Sequence, residues 1–196
     1  MFTITPCAAG CGRAAITGSN LCFLHQANPE QEYLRIVDLI SRTKTIKNMN
    51  ITGASFHDMD FSGYFIYGCN FRTTSFLNCK FSGIVLRLCF FDFSDFKNCD
   101  FAKSDIQFLS FAGSGFEDCT FDGSEIVHAN FEGASVNKTS FDNSNLYNTR
   151  FINANLGAST FVNCNLKRTY FIDARKDGIS FKSSNTAEAV FEAEDK

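Results

Sequence analysis

Residues 91–121 read FDFSDFKNCDFAKSDIQFLSFAGSGFEDCTF, with a large apolar residue at every fifth position. Phe91, Phe96, Phe101, Ile106, Phe111, Phe116 and Phe121 hold that phase, and it continues outward in both directions without a slip. From Ile46 to Phe171 every one of the 26 positions in the class is apolar, in a chain that is 44% hydrophobic. Chance would give this with a probability on the order of 10⁻⁹, so the period has a structural cause. Lys176 and Thr186 break the class further on, while Phe181 and Phe191 keep its phase. Of the 24 phenylalanines, 18 fall in it, which accounts for the compositional skew.

A second class lies two residues before each of these positions and is mostly small: Ala54, Cys69, Thr74, Cys79, Ser94, Ala129, Ser144 and Ala154 are examples. Met59, Tyr64, Ile84 and Leu109 are its large exceptions. A five-residue unit fits neither the 3.6 period of a helix nor the 2.0 period of a strand. It describes a coil that turns a corner every five residues. Positions 20 apart sort by chemistry: Ile46, Ile66, Leu86, Ile106, Ile126, Leu146 and Leu166 are all aliphatic. The other three sets hold 16 phenylalanines, with Ile51, Val136 and Leu156 as exceptions. Such sorting predicts four-sided coils of 20 residues, stacked as a solenoid.

The units Ala129 to Phe131, Ala154 to Leu156 and Cys99 to Phe101 follow the order small residue, Asp or Asn, Leu or Phe. In this they resemble the pentapeptide-repeat family, and the resemblance spans residues 46–191. It implies an all-β solenoid, a right-handed quadrilateral β-helix of about seven coils. Six cysteines, Cys69, Cys79, Cys89, Cys99, Cys119 and Cys164, fall in the small inward class, where a thiol acts as a small hydrophobe.

The other three cysteines precede the repeat. Cys7-x3-Cys11-x10-Cys22-x2-His25 supplies two pairs of soft ligands at a spacing that suits one tetrahedral zinc ion per chain. Four protein ligands leave no open position, so the ion would be structural. The same stretch resembles small zinc knuckles with three cysteines and one histidine. The alternative is a set of unligated thiols in a loose terminus. Asn28 then suits an N-cap, Pro29 the first helical position and Gln31 a capping box. Tyr33, Leu34, Ile36, Val37, Leu39 and Ile40 follow as a broad apolar stripe. The chain thus divides into a zinc knuckle (1–27), an amphipathic helix that caps the first coil or forms a dimer or docking contact (28–43), the β-helix (44–191) and a tail (192–196).

The formal net charge of −3 argues against a protein that binds nucleic acid by neutralising phosphates. No run of 18 apolar residues is present to cross a membrane, and the first residues have no basic segment ahead of an apolar stretch, so a cytoplasmic protein is expected. His57 and His128 fall in outward slots without a matching partner, no nucleophile and base pair up, and no glycine-rich phosphate loop appears, which argues against an enzyme.

Two surfaces remain. Phe65, Tyr67, Val85, Leu88, Phe108, Val127 and Tyr147 occupy outward slots beside the aliphatic column and would form an apolar strip, unless the helix folds back over it. Residues 88–135 carry nine acidic side chains against Lys97 and Lys103, among them Asp100, Asp105, Asp122 and Glu125. These form either an acidic docking surface or a solvated face. The expected function is a non-enzymatic scaffold that docks a protein partner through a β-helix face or the knuckle. Resemblance to the family also implies an alternative, since some members mimic duplex DNA and bind DNA gyrase. Against it stand the modest net charge and the basic residues Arg72, Lys80, Arg87, Arg150, Lys167 and Arg168 along the faces.

Overall fold

Every fifth backbone unit of the repeat adopts the left-handed conformation, and this closes the chain into coils. The structure, a computed structural model, describes residues 3–192, so residues 193–196 of the expected tail lie outside it. From Asn48 to Ser183 each residue two past an inward apolar position has positive φ, eight of them glycines and the rest between 49° and 62°. Ten of those side chains are Asn or Asp, which tolerate this region, but the slot also holds Leu88, Phe93, Lys103, Phe108, Lys138 and Arg168. Successive turns of one hand at five-residue spacing return the chain to its starting side after 20 residues.

Short strands of three residues line two of the four sides. Thr45–Lys47 (β1), Phe65–Tyr67 (β3), Val85–Arg87 (β5), Asp105–Gln107 (β7) and Glu125–Val127 (β9) form one parallel sheet in that order. Ser55–His57 (β2), Ser75–Leu77 (β4), Asp95–Lys97 (β6), Gly115–Glu117 (β8) and Ser135–Asn137 (β10) form the other. Registers are offset by one coil, with Ile46 opposite Ile66 and Phe56 opposite Phe76. Two ladders of single bridges make the remaining sides, through Asn50, Asn70 and Phe90 and through Asp60, Lys80 and Asp100. The strand-paired solenoid has about five turns, fewer than the seven or so coils expected. After Asn137 each side shrinks to one extended residue between two turns, so Asn145 and Asn165 keep the register through single bridges only.

Inside, the phenylalanines form columns along the axis. Phe81, Phe101, Phe121, Phe141 and Phe161 stack with successive centroids 4.4–4.9 Å apart and planes within 9° of parallel. Between columns the rings meet edge to face, as Phe151 and Phe161 do at 86°. Both geometries suit the ring quadrupole. The small class has its own chemistry: its hydroxyl donates to a carbonyl 23 residues earlier, as from Ser114 to Phe91 at 2.7 Å and from Ser124 to Phe101 at 2.8 Å. Cys79 and Cys99 make the same contact through sulfur, at 3.6 and 3.5 Å. No buried side-chain nitrogen or oxygen lacks a partner among the described residues.

The helix Pro29–Ser41 (α1) lies at the first coil. Asn28 Oδ1 accepts from the Gln31 backbone N–H at 3.1 Å, which caps it. Its apolar face is narrower than expected. Ile36 and Ile40 are buried in the core cluster with Tyr33 and Val37 beside them, and the Tyr33 ring lies 5.9 Å from Phe56. Leu34 and Leu39 are exposed because they fall off the line through residues 33, 36, 37 and 40. No helix among the described residues is long and apolar enough to cross a membrane.

Phe101→Ala should cost about 3–5 kcal/mol, since its cavity is walled by stacked rings that cannot collapse. Gly133→Ala meets open space at φ +66°, so its expected cost of about 1 kcal/mol is conformational alone. Chemical denaturation of the two variants should reproduce that order.

Candidate metal centre and exposed corner

The residues before α1 fold into two short pieces that bring four soft ligands together. Pro6 and Ala14 bridge antiparallel, and Cys7 N–H donates to Arg13 C=O at 2.9 Å. Gly10 and Gly12, at φ 69° and 77°, turn the chain so that Cys7 and Cys11 project to the same point. Cys22 precedes the 3-10 turn Phe23–His25, whose tight pitch returns His25 beside it. Ala8 N–H to Asn20 C=O at 2.9 Å and Cys22 N–H to Cys7 Sγ at 3.4 Å hold the two pieces together.

One ligand atom from each of Cys7, Cys11, Cys22 and His25 lies within 4.8 Å of all the others. Cys11 and Cys22 sulfurs are 3.8 Å apart, and His25 Nδ1 is 3.4 Å from Cys22 Sγ and 3.5 Å from Cys7 Sγ. A tetrahedron with metal–sulfur bonds of about 2.3 Å and a metal–nitrogen bond of about 2.0 Å has edges of about 3.8 and 3.6 Å. The cluster has that size and could bind a metal ion. The Cys22 N–H, chief among its partners, holds the Cys7 thiol down at about 6, which favours the ligating thiolate. The Arg13 backbone N–H lowers Cys11 in the same way. Burial pushes Cys22 up, as expected of a thiol crowded by two others.

The knuckle is tied to the solenoid. Thr17 N–H donates to Asn50 C=O at 2.9 Å, Asn50 N–H donates to Thr17 Oγ1 at 2.7 Å, and Arg35 of α1 donates to Thr17 C=O at 2.5 Å. Asn50 Nδ2 also donates to Ala15 C=O. The bridge ladder of that side therefore continues into the knuckle instead of ending at the first coil.

Of the apolar strip, Tyr67, Leu88 and Phe108 are exposed, while Phe65, Val85, Val127 and Tyr147 are half-buried. Leu88 and Phe108 sit at the corner that follows the aliphatic side, at φ 53° and 56°, with His128 next along it. The Phe108 ring stacks on His128 at 4.9 Å. Phe93, on the neighbouring corner at φ 58°, is the most exposed of these rings at 67% and lies over Gly113. It occupies the same slot as Leu88 and Phe108, two past an inward position, but on the side that follows Phe91.

The acidic residues do not share a side. Asp105 and Glu125 lie on the first sheet, Asp100 and Asp122 on the side before it, and the other five on the remaining two. Four of the nine are ion-paired across coils: Asp92 with Arg72 at 2.6 Å, Asp105 with Arg87, Glu117 with Lys97 at 2.8 Å and Glu132 with Arg150 at 3.7 Å. Neighbouring coils supply these cations in register, which is why a count along the chain overstates the charge of the surface.

Residues 114–191 match the family model described as a pentapeptide repeat region. The same coil geometry runs back from that region to Thr45. No curated protein matches the chain. Among solved structures it is similar to QnrB1, described as a plasmid-mediated fluoroquinolone resistance protein, at 15% identity over 72% of this chain and 88% of that one, with a TM-score of 0.46. Rfr23, a pentapeptide repeat protein of the cyanobacterium Cyanothece 51142, is 13% identical over 82% of this chain and 98% of its own, with a TM-score of 0.34.

The cysteines should separate by reactivity. In the chelator-treated native protein, iodoacetamide should label the half-exposed Cys11 first, whereas the six coil thiols should react only after unfolding. Burial, which pushes Cys164 up to about 11, illustrates why. Peptide mapping by mass spectrometry reads the pattern.

Proposed function

We propose that the protein is a non-enzymatic interaction module that docks a protein partner on two adjacent apolar corners, with a structural zinc ion in the Cys7, Cys11, Cys22 and His25 cluster. The observation that carries the docking reading is the placement of Leu88, Phe93 and Phe108, exposed by 44%, 67% and 53%, in left-handed slots. Each position is unfavourable twice over, once for a large side chain at positive φ and once for apolar surface in water. Asn would relieve both, as it does at Asn98 and Asn143. Residues that weaken the fold where an easy substitute exists mark a surface kept for contact.

The zinc reading rests on the donor set: three sulfurs and one imidazole at tetrahedral spacing suit zinc over oxygen-seeking cations. Such an ion would be structural, holding the knuckle against the first coil. A cytoplasmic, reducing location would keep these thiols available as ligands. Four of the nine acidic residues are paired across coils and the nine are spread over four sides, which weighs against gyrase binding by DNA mimicry and favours the apolar corners.

The combined variant Leu88→Asn, Phe93→Asn and Phe108→Asn tests the docking role apart from stability. It should melt no more than about 4 °C below the parent, or above it, because about 1 kcal/mol moves a domain of this size by only 2–4 °C. Partners retained on the immobilised parent at 0.5 M salt should fall at least tenfold. Retention equal to the parent's would remove the corners from the function. For the metal, mass spectrometry of protein purified without added metal should find close to one zinc per chain, and under a tenth in Cys22→Ser.

A further inference from the structure

The strand β2 ends its sheet and borders a groove of about 660 Å³ formed with α1 and the 3-10 turn Phe23–His25. We propose that this groove receives an extended peptide from a partner protein, added as a parallel strand beside β2, with one large apolar residue and a Lys or Arg beside it.

Backbone geometry selects an extended chain. Ala54 C=O accepts from Ser75 N–H and Asp58 N–H donates to Leu77 C=O, both at 2.9 Å, so these alternate groups face the next coil. By the alternation of a parallel ladder, Ser55 and His57 face the other way, into the groove they line. Ser55 N–H, Ser55 C=O and His57 C=O have no backbone partner among the described residues. A strand laid there continues the β6, β4, β2 ladder with the same register and direction. On the adjacent side the chain already does this for itself, since Thr17 closes the ladder at Asn50. The β2 edge has no such closure among the described residues.

Side chains select the sequence. Leu24, 70% exposed, stands across the groove from Ser55, and the Tyr33 ring, whose hydroxyl meets the His57 backbone, closes the far end of an apolar seat. Glu30 lines the same groove without an ion-pair partner among the described residues, whereas Glu32, two residues on, is engaged by Arg35. An unpaired carboxylate beside an apolar seat favours a basic residue next to the anchor. Strand addition of this kind draws affinity from main-chain bonds and specificity from the pocket. Because Phe23 and Leu24 sit between Cys22 and His25, the metal-binding turn forms one wall.

The test is a displayed random octapeptide library selected on the full chain. Enriched peptides should carry one large apolar residue among β-branched neighbours with an adjacent Lys or Arg. A synthetic copy should protect the Ser55 amide from hydrogen exchange. Ser55→Pro removes the outward N–H without touching a bond inside the sheet, a position where an edge strand tolerates proline. It and Leu24→Asp should each weaken binding at least tenfold, with Ser55→Ala unchanged and the melting temperature confirming that each variant folds. Absence of enriched peptides, or binding indifferent to Ser55→Pro and Leu24→Asp alike, would overturn the proposal. So would a dimer in sedimentation that Leu24→Asp dissolves, because a second copy would then hold the groove. The corner variant carrying three Asn substitutions should bind the same peptides as the parent, which separates failure here from failure of the corners.

Discussion

The left-handed residue repeated at every fifth position is the constraint on which the rest of this protein depends. Without 28 successive turns of the same hand, from Asn48 to Ser183, the inward apolar residues would not return to the same side after 20 residues. With them, each phenylalanine finds its counterpart one coil away, and aromatic stacking follows from backbone closure. The cost is conformational and recurs in every unit. Glycine, Asn and Asp meet it at 18 of the positions, and the stacked core has to offset it at the others.

A solenoid closes its sides but leaves its ends open, with strand edges and core exposed to solvent. At the first coil two devices answer this. Helix α1 lays Tyr33, Ile36, Val37 and Ile40 against the core, and the knuckle offers Ala15 and Thr17 to the Asn50 edge. They close the end incompletely, since the edge of β2 keeps its outward backbone groups. The cluster of three cysteines and one histidine lies beside this arrangement, with Cys22 and His25 flanking the turn that walls the groove.

Outside the core the surface chemistry is governed by the coil register as much as by composition. Cations one coil away pair with Asp92, Asp105, Glu117 and Glu132, so part of the acidic stretch is offset by its neighbours in the stack. Apolar corner residues have no such compensation. Phe108 gains a stacked His128 and Phe93 lies on Gly113, yet both remain more than half exposed.

Periodicity alone determined the coil, its four sides and its core, because burial of one large residue in five admits no other regular backbone. The clustering of Cys7, Cys11, Cys22 and His25 was equally legible, since they are close enough in sequence for spacing to imply proximity. Tertiary structure decided the rest. That the strand-paired part runs to about five turns depends on whether each side keeps three extended residues or one, a matter of turn geometry that the apolar phase does not encode. Leu34 and Leu39 belong to the stripe by composition, yet only the docking angle of α1 leaves them in solvent. Pairing of the acidic residues, the exposure of Phe93 and the open edge of β2 all arise between residues brought together by stacking coils or by the packing of the knuckle. A linear reading carries no signal for contacts of that kind until the register is known.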